Sequence, residues 1–148
     1  RIKGRLLDVG CGLNELVKQY GNGVGVERVT DIAETEKFDA ITLVAVLNYV
    51  PEQEREELLR QCHKRMNKYG RLILTCTTEI GGNLNRLVQN SQPFGMEWKT
   101  IECLLEKCGF RLVYSRVFML GLNRVYVFSK EEPKGLPTAN EAHTNKPA

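Results

Sequence analysis

Leu6-Leu7-Asp8-Val9-Gly10-Cys11-Gly12, answered downstream by Gly25-Val26-Glu27, is the stretch on which the reading of this chain turns. An apolar extended run that ends in an acid and two glycines describes a strand opening into a tight strand-to-helix turn. Leu16, Val17 and Tyr20 then predict a short helix, closed by Gly21-Asn22-Gly23. Val24 to Glu27 is a second strand, so Glu27 stands at a strand tip nineteen residues after Asp8. Glycines let the backbone approach a ligand closely, and a carboxylate on the neighbouring strand tip takes both hydroxyls of a ribose. The pattern predicts a nucleoside cofactor.

The kind of nucleoside follows from what surrounds the glycines. A nicotinamide dinucleotide site needs a third glycine where Glu15 stands, a side chain too large for close helix packing and repulsive toward a pyrophosphate. Asp8, two residues before Gly10, suits instead a cofactor with a cationic amino-acid end and no phosphate.

Working outward, Ala40-Ile41-Thr42-Leu43-Val44-Ala45-Val46 is an almost unbroken apolar run, as in a central strand buried on both faces. A helix is predicted from Pro51 to Gly70, with Leu58, Leu59, Cys62, Met66 and Tyr69 as its apolar stripe and Lys64, Arg65 and Lys68 at its end. Arg71 to Cys76 is the next strand. Thr77 to Gly95 reads as irregular, with a helical turn or two at Leu84 to Val88. Trp98, Ile101, Leu104, Leu105 and Cys108 predict an amphipathic helix ended by Gly109. Arg111 to Met119 and Arg124 to Ser129 are strands joined around Gly121-Leu122-Asn123, a link short enough to force antiparallel pairing.

Composition agrees with one soluble α/β domain. The chain has 148 residues, 42% hydrophobic and 26% charged, with a mean hydropathy of -0.32. No apolar run approaches the ~18 residues of a membrane span, and the first eight residues hold no signal-peptide core. A net charge of +3, from 21 scattered basic and 18 acidic residues, permits a polyanionic partner without indicating one. Five cysteines without a C-x-x-C pair argue against a disulfide framework and a zinc site, and for reduced thiols in the cytoplasm. Lys130 to Ala148 carries three of the five prolines and no aromatic residue, so residues 1–129 are expected to form the domain and 130–148 a disordered tail.

Taken together, these residues resemble the class I S-adenosylmethionine-dependent methyltransferases from Arg5 to Lys130. Leu6 to Gly12 looks like the family's first motif and Gly25-Val26-Glu27 like its ribose-binding acid. Phe38-Asp39-Ala40-Ile41 looks like its fourth strand, and Tyr69-Gly70-Arg71-Leu72-Ile73-Leu74 like the entry to its fifth. More narrowly, Leu47-Asn48-Tyr49-Val50-Pro51 and Gly121-Leu122-Asn123-Arg124-Val125-Tyr126 are similar to small bacterial methyltransferases of the ubiquinone-biosynthesis type, most of which act on small molecules. The resemblance implies a Rossmann-like α/β sandwich whose mostly parallel sheet finishes in an antiparallel hairpin. It also implies S-adenosylmethionine as cofactor, held by Asp8, Gly10, Cys11, Gly12, Glu27 and Val44, with Asp31 toward the adenine amino group.

Three departures from the family are visible. Asn14 replaces a third glycine; asparagine tolerates left-handed backbone and caps helices, so the loop should survive. Only ten residues separate Glu27 from Phe38, so the region between the second and fourth strands is shortened and Arg28 to Ile32 is at best a remnant strand. The chain also begins at the first strand, where relatives carry helices that cover the active site.

A methyl group on a sulfonium is already activated, so the protein has mainly to align the acceptor and exclude water. Asn48 and Tyr49, just past the central strand, are the residues expected to position it. His63 and His143 are expected to play no catalytic part, and Glu79 is a weaker candidate. Cys11 reads as a small turn residue, and Cys103, Cys108 and Trp98 as core. The expected acceptor is a small molecule, with no metal and no membrane involved. Two alternatives stay open: a nucleic-acid (rRNA or tRNA) base methyltransferase, for which no aromatic base clamp or electropositive track is apparent, and a catalytically silent methyltransferase-like binding subunit.

Overall fold

The computed structural model describes residues 4–78, 80, 81, 83 and 97–130. A six-stranded sheet has the order β2-β1-β3-β4-β6-β5, built from β1 (Leu6–Val9), β2 (Gly23–Val26), β3 (Phe38–Val44), β4 (Met66–Thr77), β5 (Phe110–Phe118) and β6 (Asn123–Lys130). Strands β1 to β4 pair in parallel. β6 runs antiparallel to both β4 and β5, which is the expected parallel sheet closed by a hairpin. Helices α1 (Glu15–Tyr20), α2 (Glu52–Lys64) and α3 (Trp98–Lys107) connect the strands. None of them is long and apolar enough to cross a membrane.

The core forms where the central strands meet α2 and α3. Leu7, Ile41, Leu43, Leu72 and Leu74 are fully buried, together with Leu59 and Cys62 from α2 and Leu105 from α3. Each such leucine contributes roughly 1.5–3 kcal/mol relative to exposure. Glu56 ties the two helices together, bridging to Lys107 at 2.6 Å and to Arg60 at 2.8 Å. These ion pairs are partly exposed and set geometry more than stability.

The structure departs from the sequence reading in several places. α2 stops at Lys64, and Met66 and Tyr69 belong to β4. Met66 is 1% exposed as the strand partner of Phe38, so it satisfies an apolar period from either conformation. Arg65 ends the helix because its buried guanidinium donates to the Ile32 carbonyl at 3.0 and 2.7 Å, holding the 28–32 segment against the helix end. Gly70 is not a helix stop. A Cβ there would lie 2.3 Å from Met66 Cγ, so the position requires close approach to the start of its own strand.

The shortened region contains no strand among its described residues. Val29–Asp31 is a 3-10 turn, closed by Asp31 Oδ2 accepting from the Arg28 N–H at 3.1 Å. That leaves β2 as the sheet edge. β3 runs Phe38–Val44 and breaks at Ala45, whose φ of 57° bends the chain two residues earlier than the apolar run implies. Lys130 is the last residue of β6 and its ammonium donates to the Met66 carbonyl at 2.9 Å, so the domain extends one residue into the segment read as tail. The proposed turn at 84–88, Glu79, His143 and the rest of the tail lie outside the described residues.

Candidate functional site

The parallel strands β1, β3 and β4 end at one edge of the sheet, and the start of β6 joins them because Thr77 pairs with Asn123. Ligands of open α/β sheets bind at this carboxyl edge. The sequence-derived residues collect there in two neighbouring groups.

The first group surrounds the glycine turn. Gly10 (φ 72°) and Gly12 (φ 50°) adopt left-handed backbone, which glycine takes without the steric cost that a Cβ imposes. The Gly10 and Cys11 N–H groups donate to the Val26 carbonyl at 2.7 and 3.2 Å, locking the turn to β2. Glu27, exposed one residue beyond β2, accepts from the Gly12 N–H at 3.0 Å and from the Cys11 thiol at 3.7 Å. Burial and then the Glu27 charge push the Cys11 thiol pKa up, so it stays protonated. Asn14 takes the left-handed conformation expected of it (φ 64°) but makes no side-chain cap.

Asp8 is 5% exposed at the end of β1 and accepts from the Thr42 hydroxyl at 2.6 Å. Burial raises its pKa, with the Thr42 hydrogen bond acting in the opposite direction. The next residue of β1, Val9, faces the other side of the sheet and lines a crevice of about 540 Å³ together with Glu27, Arg28, Val46, Val50 and Leu58; Asp8 is not on its wall.

These residues fit a nucleoside with a cationic end. Nothing lies within 4 Å of where a Gly12 Cβ would stand, the Glu27 carboxylate reaches solvent, and the Asn14 Oδ1 beside them is buried without a hydrogen-bond partner. Asp31 is committed to its own turn, and Val44 is half exposed just before the Ala45 bend. The sequence presents Gly25 only as part of the motif around Glu27, without its packing role: a Cβ there would fall 2.0 Å from Asn14 Oδ1 and 2.9 Å from Cys11 Cβ. Sequence reasoning missed Val46, whose Cγ2 would be 2.7 Å from a Cβ on Gly10. Both sit at contacts between segments distant in sequence.

The second group lies over β4 and β6. Asn48 is buried, and its Oδ1 accepts from the Thr77 N–H at 3.1 Å, fixing the loop after β3 to the end of β4. Tyr49 is 65% exposed. Past Thr77 is a cavity of about 250 Å³ whose walls include Thr77, Glu97, Trp98, Val117, Arg124 and Tyr126. Trp98 is 44% exposed, so it is a wall of this cavity and not the core residue its helical position implied. Lys99 Nζ lies 5.6 Å and the Arg124 guanidinium 5.9 Å from the Trp98 ring. An aromatic flanked by cations is therefore present, although none was apparent in the sequence. Burial pushes the Cys76 thiol and the Tyr126 hydroxyl up to about 12, so both walls keep their protons at neutral pH.

The remaining candidates separate by burial. Cys108 is buried as expected, whereas Cys103 is exposed on α3. His63 packs edge-to-face on Phe110 with centroids 5.1 Å apart, away from the sheet edge. No cluster of three or more His, Cys, Asp or Glu able to hold a metal ion occurs among the described residues.

This architecture recurs in solved structures of low sequence identity. The pyocyanin biosynthetic protein PhzM superposes with a TM-score of 0.71 at 16% identity, over 86% of this chain and 50% of that one. The present chain thus spans half of PhzM. An S-adenosylmethionine-dependent methyltransferase from Methanosarcina mazei gives 0.62 at 14% identity, over 88% and 94% of the two chains. The Burkholderia thailandensis 1,6-didemethyltoxoflavin-N1-methyltransferase, solved with its substrate and S-adenosylhomocysteine, gives 0.65 at 14%, over 87% and 72%. No curated protein sequence matches. Residues 25–135, well over half of the chain, match the family model described as Bmt2, 25S rRNA (adenine(2142)-N(1))-methyltransferase. With that match added to the sheet and its glycine turn, the chain belongs to the Bmt2 family of methyltransferases.

Proposed function

We propose that this protein methylates N1 of an adenine in ribosomal RNA. The observation that carries the reading is the match of residues 25–135 to a family described by that reaction. The exposed Trp98 between Lys99 and Arg124 supports it, since aromatic rings bordered by cations suit the bases and phosphates of a single strand.

In this reading Glu27 takes the ribose hydroxyls, the turn from Gly10 to Gly12 admits the cofactor to the backbone, and Asp8 faces its cationic amino-acid end. When bound, S-adenosylmethionine supplies a methyl group on a positively charged sulfur, so a neutral ring nitrogen that receives it becomes cationic without losing a proton. No general base is required at such an acceptor, which agrees with a site edge where Cys76 and Tyr126 hold their protons. Asn48 orients the end of β4, and Tyr49 is exposed beside it; their work is alignment.

A small-molecule acceptor is the second reading. It is favoured by the modest size of the cavity and by the likeness to ubiquinone-type enzymes in Leu47 to Pro51. Incubation with S-adenosylmethionine and an RNA fragment holding one unpaired adenine separates the two. Conversion of that adenosine to its N1-methyl form, read by reverse-transcription arrest and by mass of the digested nucleoside, is expected. Methylation of small heteroaromatic acceptors with RNA left unmodified would reject the RNA reading.

A further inference from the structure

The cavity beside Trp98 is set apart from the cofactor crevice by a single loop. Val46 and Val50 line the crevice, while Asn48, between them in sequence, is bonded to the cavity wall at Thr77. The 45–50 loop thus lines the crevice and is tied by one hydrogen bond to a wall of the cavity, so both openings lie toward the same sheet edge, where two reactants that exchange a group have to meet.

The walls are held firmly. The Thr78 hydroxyl donates to the carbonyls of Gly121 and Leu122 at 2.6 and 3.2 Å, and the Thr78 N–H to Leu122 at 2.9 Å, fastening the β5–β6 turn over β4. A Cβ on Gly81 would stand 2.2 Å from the Leu122 carbonyl oxygen, so the rim closes tightly on that side. The Arg124 guanidinium, in contrast, stands 5.9 Å from both the Trp98 and Tyr126 rings. That exceeds the ~4 Å of a stacking contact, and its one side-chain hydrogen bond, to the Ser115 hydroxyl, is long at 3.4 Å, so exchanging it for a closer approach to an incoming ring costs little. At about 250 Å³ the space lies below the ~300 Å³ of a drug-sized ligand pocket and suits one fused ring system.

We propose that this cavity is the acceptor site and that it takes a single purine base swung out of an RNA strand, stacked on Trp98 with Arg124 closing over it. The inference rests on the RNA reading above and assigns the residues that receive the base. Glu97 supplies a carboxylate acceptor for an exocyclic amine and offsets the positive charge that N1 methylation leaves on the ring. Tyr126, holding its proton, offers a donor. Lys99 lies outside the ring, where the strand's phosphates pass.

Trp98 is the only tryptophan in the chain, so its fluorescence reports the cavity directly. The cofactor crevice is first saturated with S-adenosylhomocysteine, so that adenine cannot act there. Two labelled RNA oligonucleotides, identical except for one adenine or an abasic site, are then titrated, with 9-methyladenine as a free-base control. The adenine oligonucleotide is expected to quench Trp98, and the abasic one to bind without quenching. Trp98→Ala should weaken adenine-RNA binding roughly tenfold, Trp98→Phe should restore most of it, and Val117→Phe, which fills the cavity, should abolish discrimination. All three should leave S-adenosylhomocysteine affinity at the wild-type value, a check that the variants fold. Equal quenching by both oligonucleotides, or wild-type methylation of RNA by Val117→Phe, would overturn the cavity while leaving the RNA reading standing. Quenching by 9-methyladenine with no binding of either oligonucleotide would overturn the RNA-base proposal and the RNA reading together.

Discussion

The two halves of the sheet edge are made of different material. Over β1 and β2 the site is mostly backbone: two left-handed glycines, the N–H of Gly12, and one carboxylate that accepts from it. Over β4 and β6 it is mostly side chain, with Trp98, Arg124 and Tyr126 brought from α3 and β6 to the end of β4. A backbone site recognises what every member of a cofactor class shares and leaves little room for substitution. A side-chain site is free to specialise, because its walls change without altering the turn proposed to hold the cofactor. If this division is right, damage to one half should leave the other half's ligand nearly untouched.

The sharpest break is at Gly10. A Cβ there would meet Val46 Cγ2 at 2.7 Å while the residue keeps a φ of 72°. Gly10→Ala is expected to cost about 3 kcal/mol or more in cofactor binding, roughly a hundredfold, from backbone strain and a displaced 45–50 loop together. Calorimetry with S-adenosylhomocysteine measures it, and an affinity within threefold of wild type would show that the cofactor avoids this turn. Glu27→Ala comes next. Losing hydrogen bonds to a charged group should weaken the same binding by ~1.5–3 kcal/mol. Because Glu27 is exposed, Tm should move little, and the adenine-dependent quenching of Trp98 should persist at saturating S-adenosylhomocysteine. A collapse of Tm would make Glu27 a structural residue.

Legibility followed the same division. The glycine turn and Glu27 were readable because backbone geometry is written locally, in glycines within one short segment and a strand tip nineteen residues on. Trp98 and Arg124 are 26 residues apart, and no periodicity announces that they share a cavity. Helical position made Trp98 look like core, yet the α3 stripe is satisfied by Ile101 and Leu105, leaving its first residue at the rim. Met66 was misplaced for a related reason: an apolar residue at a helical interval is equally apolar in a strand. The 3-10 turn after β2 was hidden because Arg65, 33 residues beyond Ile32, supplies the donors that hold it.

Asn48 tests whether the halves communicate. Its Oδ1 is the acceptor for the buried Thr77 N–H, so Asn48→Ala should destabilise the fold by ~1–3 kcal/mol. Turnover should fall further than cofactor affinity, since the loop that separates the two openings loses its anchor on the acceptor side. Asn48→Asp, which keeps an oxygen acceptor, should recover part of the loss in thermal unfolding and in the methylation rate. Unchanged turnover with reduced Tm in Asn48→Ala would reduce the residue to packing.

The smallest effect expected is at Asp8, and it has opposite signs in stability and in binding. Burial raises the Asp8 pKa above its ordinary value of 3.8, so the folded state disfavours the ionised form. The resulting penalty is full above the folded pKa and disappears as the pH falls toward and below 3.8. Asp8→Asn removes the charge and keeps an oxygen to accept from Thr42 Oγ1, so its Tm should exceed that of wild type near neutral pH. The two curves should converge in acid. Without the carboxylate, the cationic end of the cofactor loses its counter-charge, so affinity for S-adenosylhomocysteine should drop even as the apo protein gains stability. Added S-adenosylhomocysteine should then raise the wild-type Tm more than the variant's, because only wild type gains a partner for a charge it already holds. A variant less stable than wild type at every pH would mean that the Asp8–Thr42 contact serves the fold alone, and the cofactor's amino end would have to be sought elsewhere along the β1 edge.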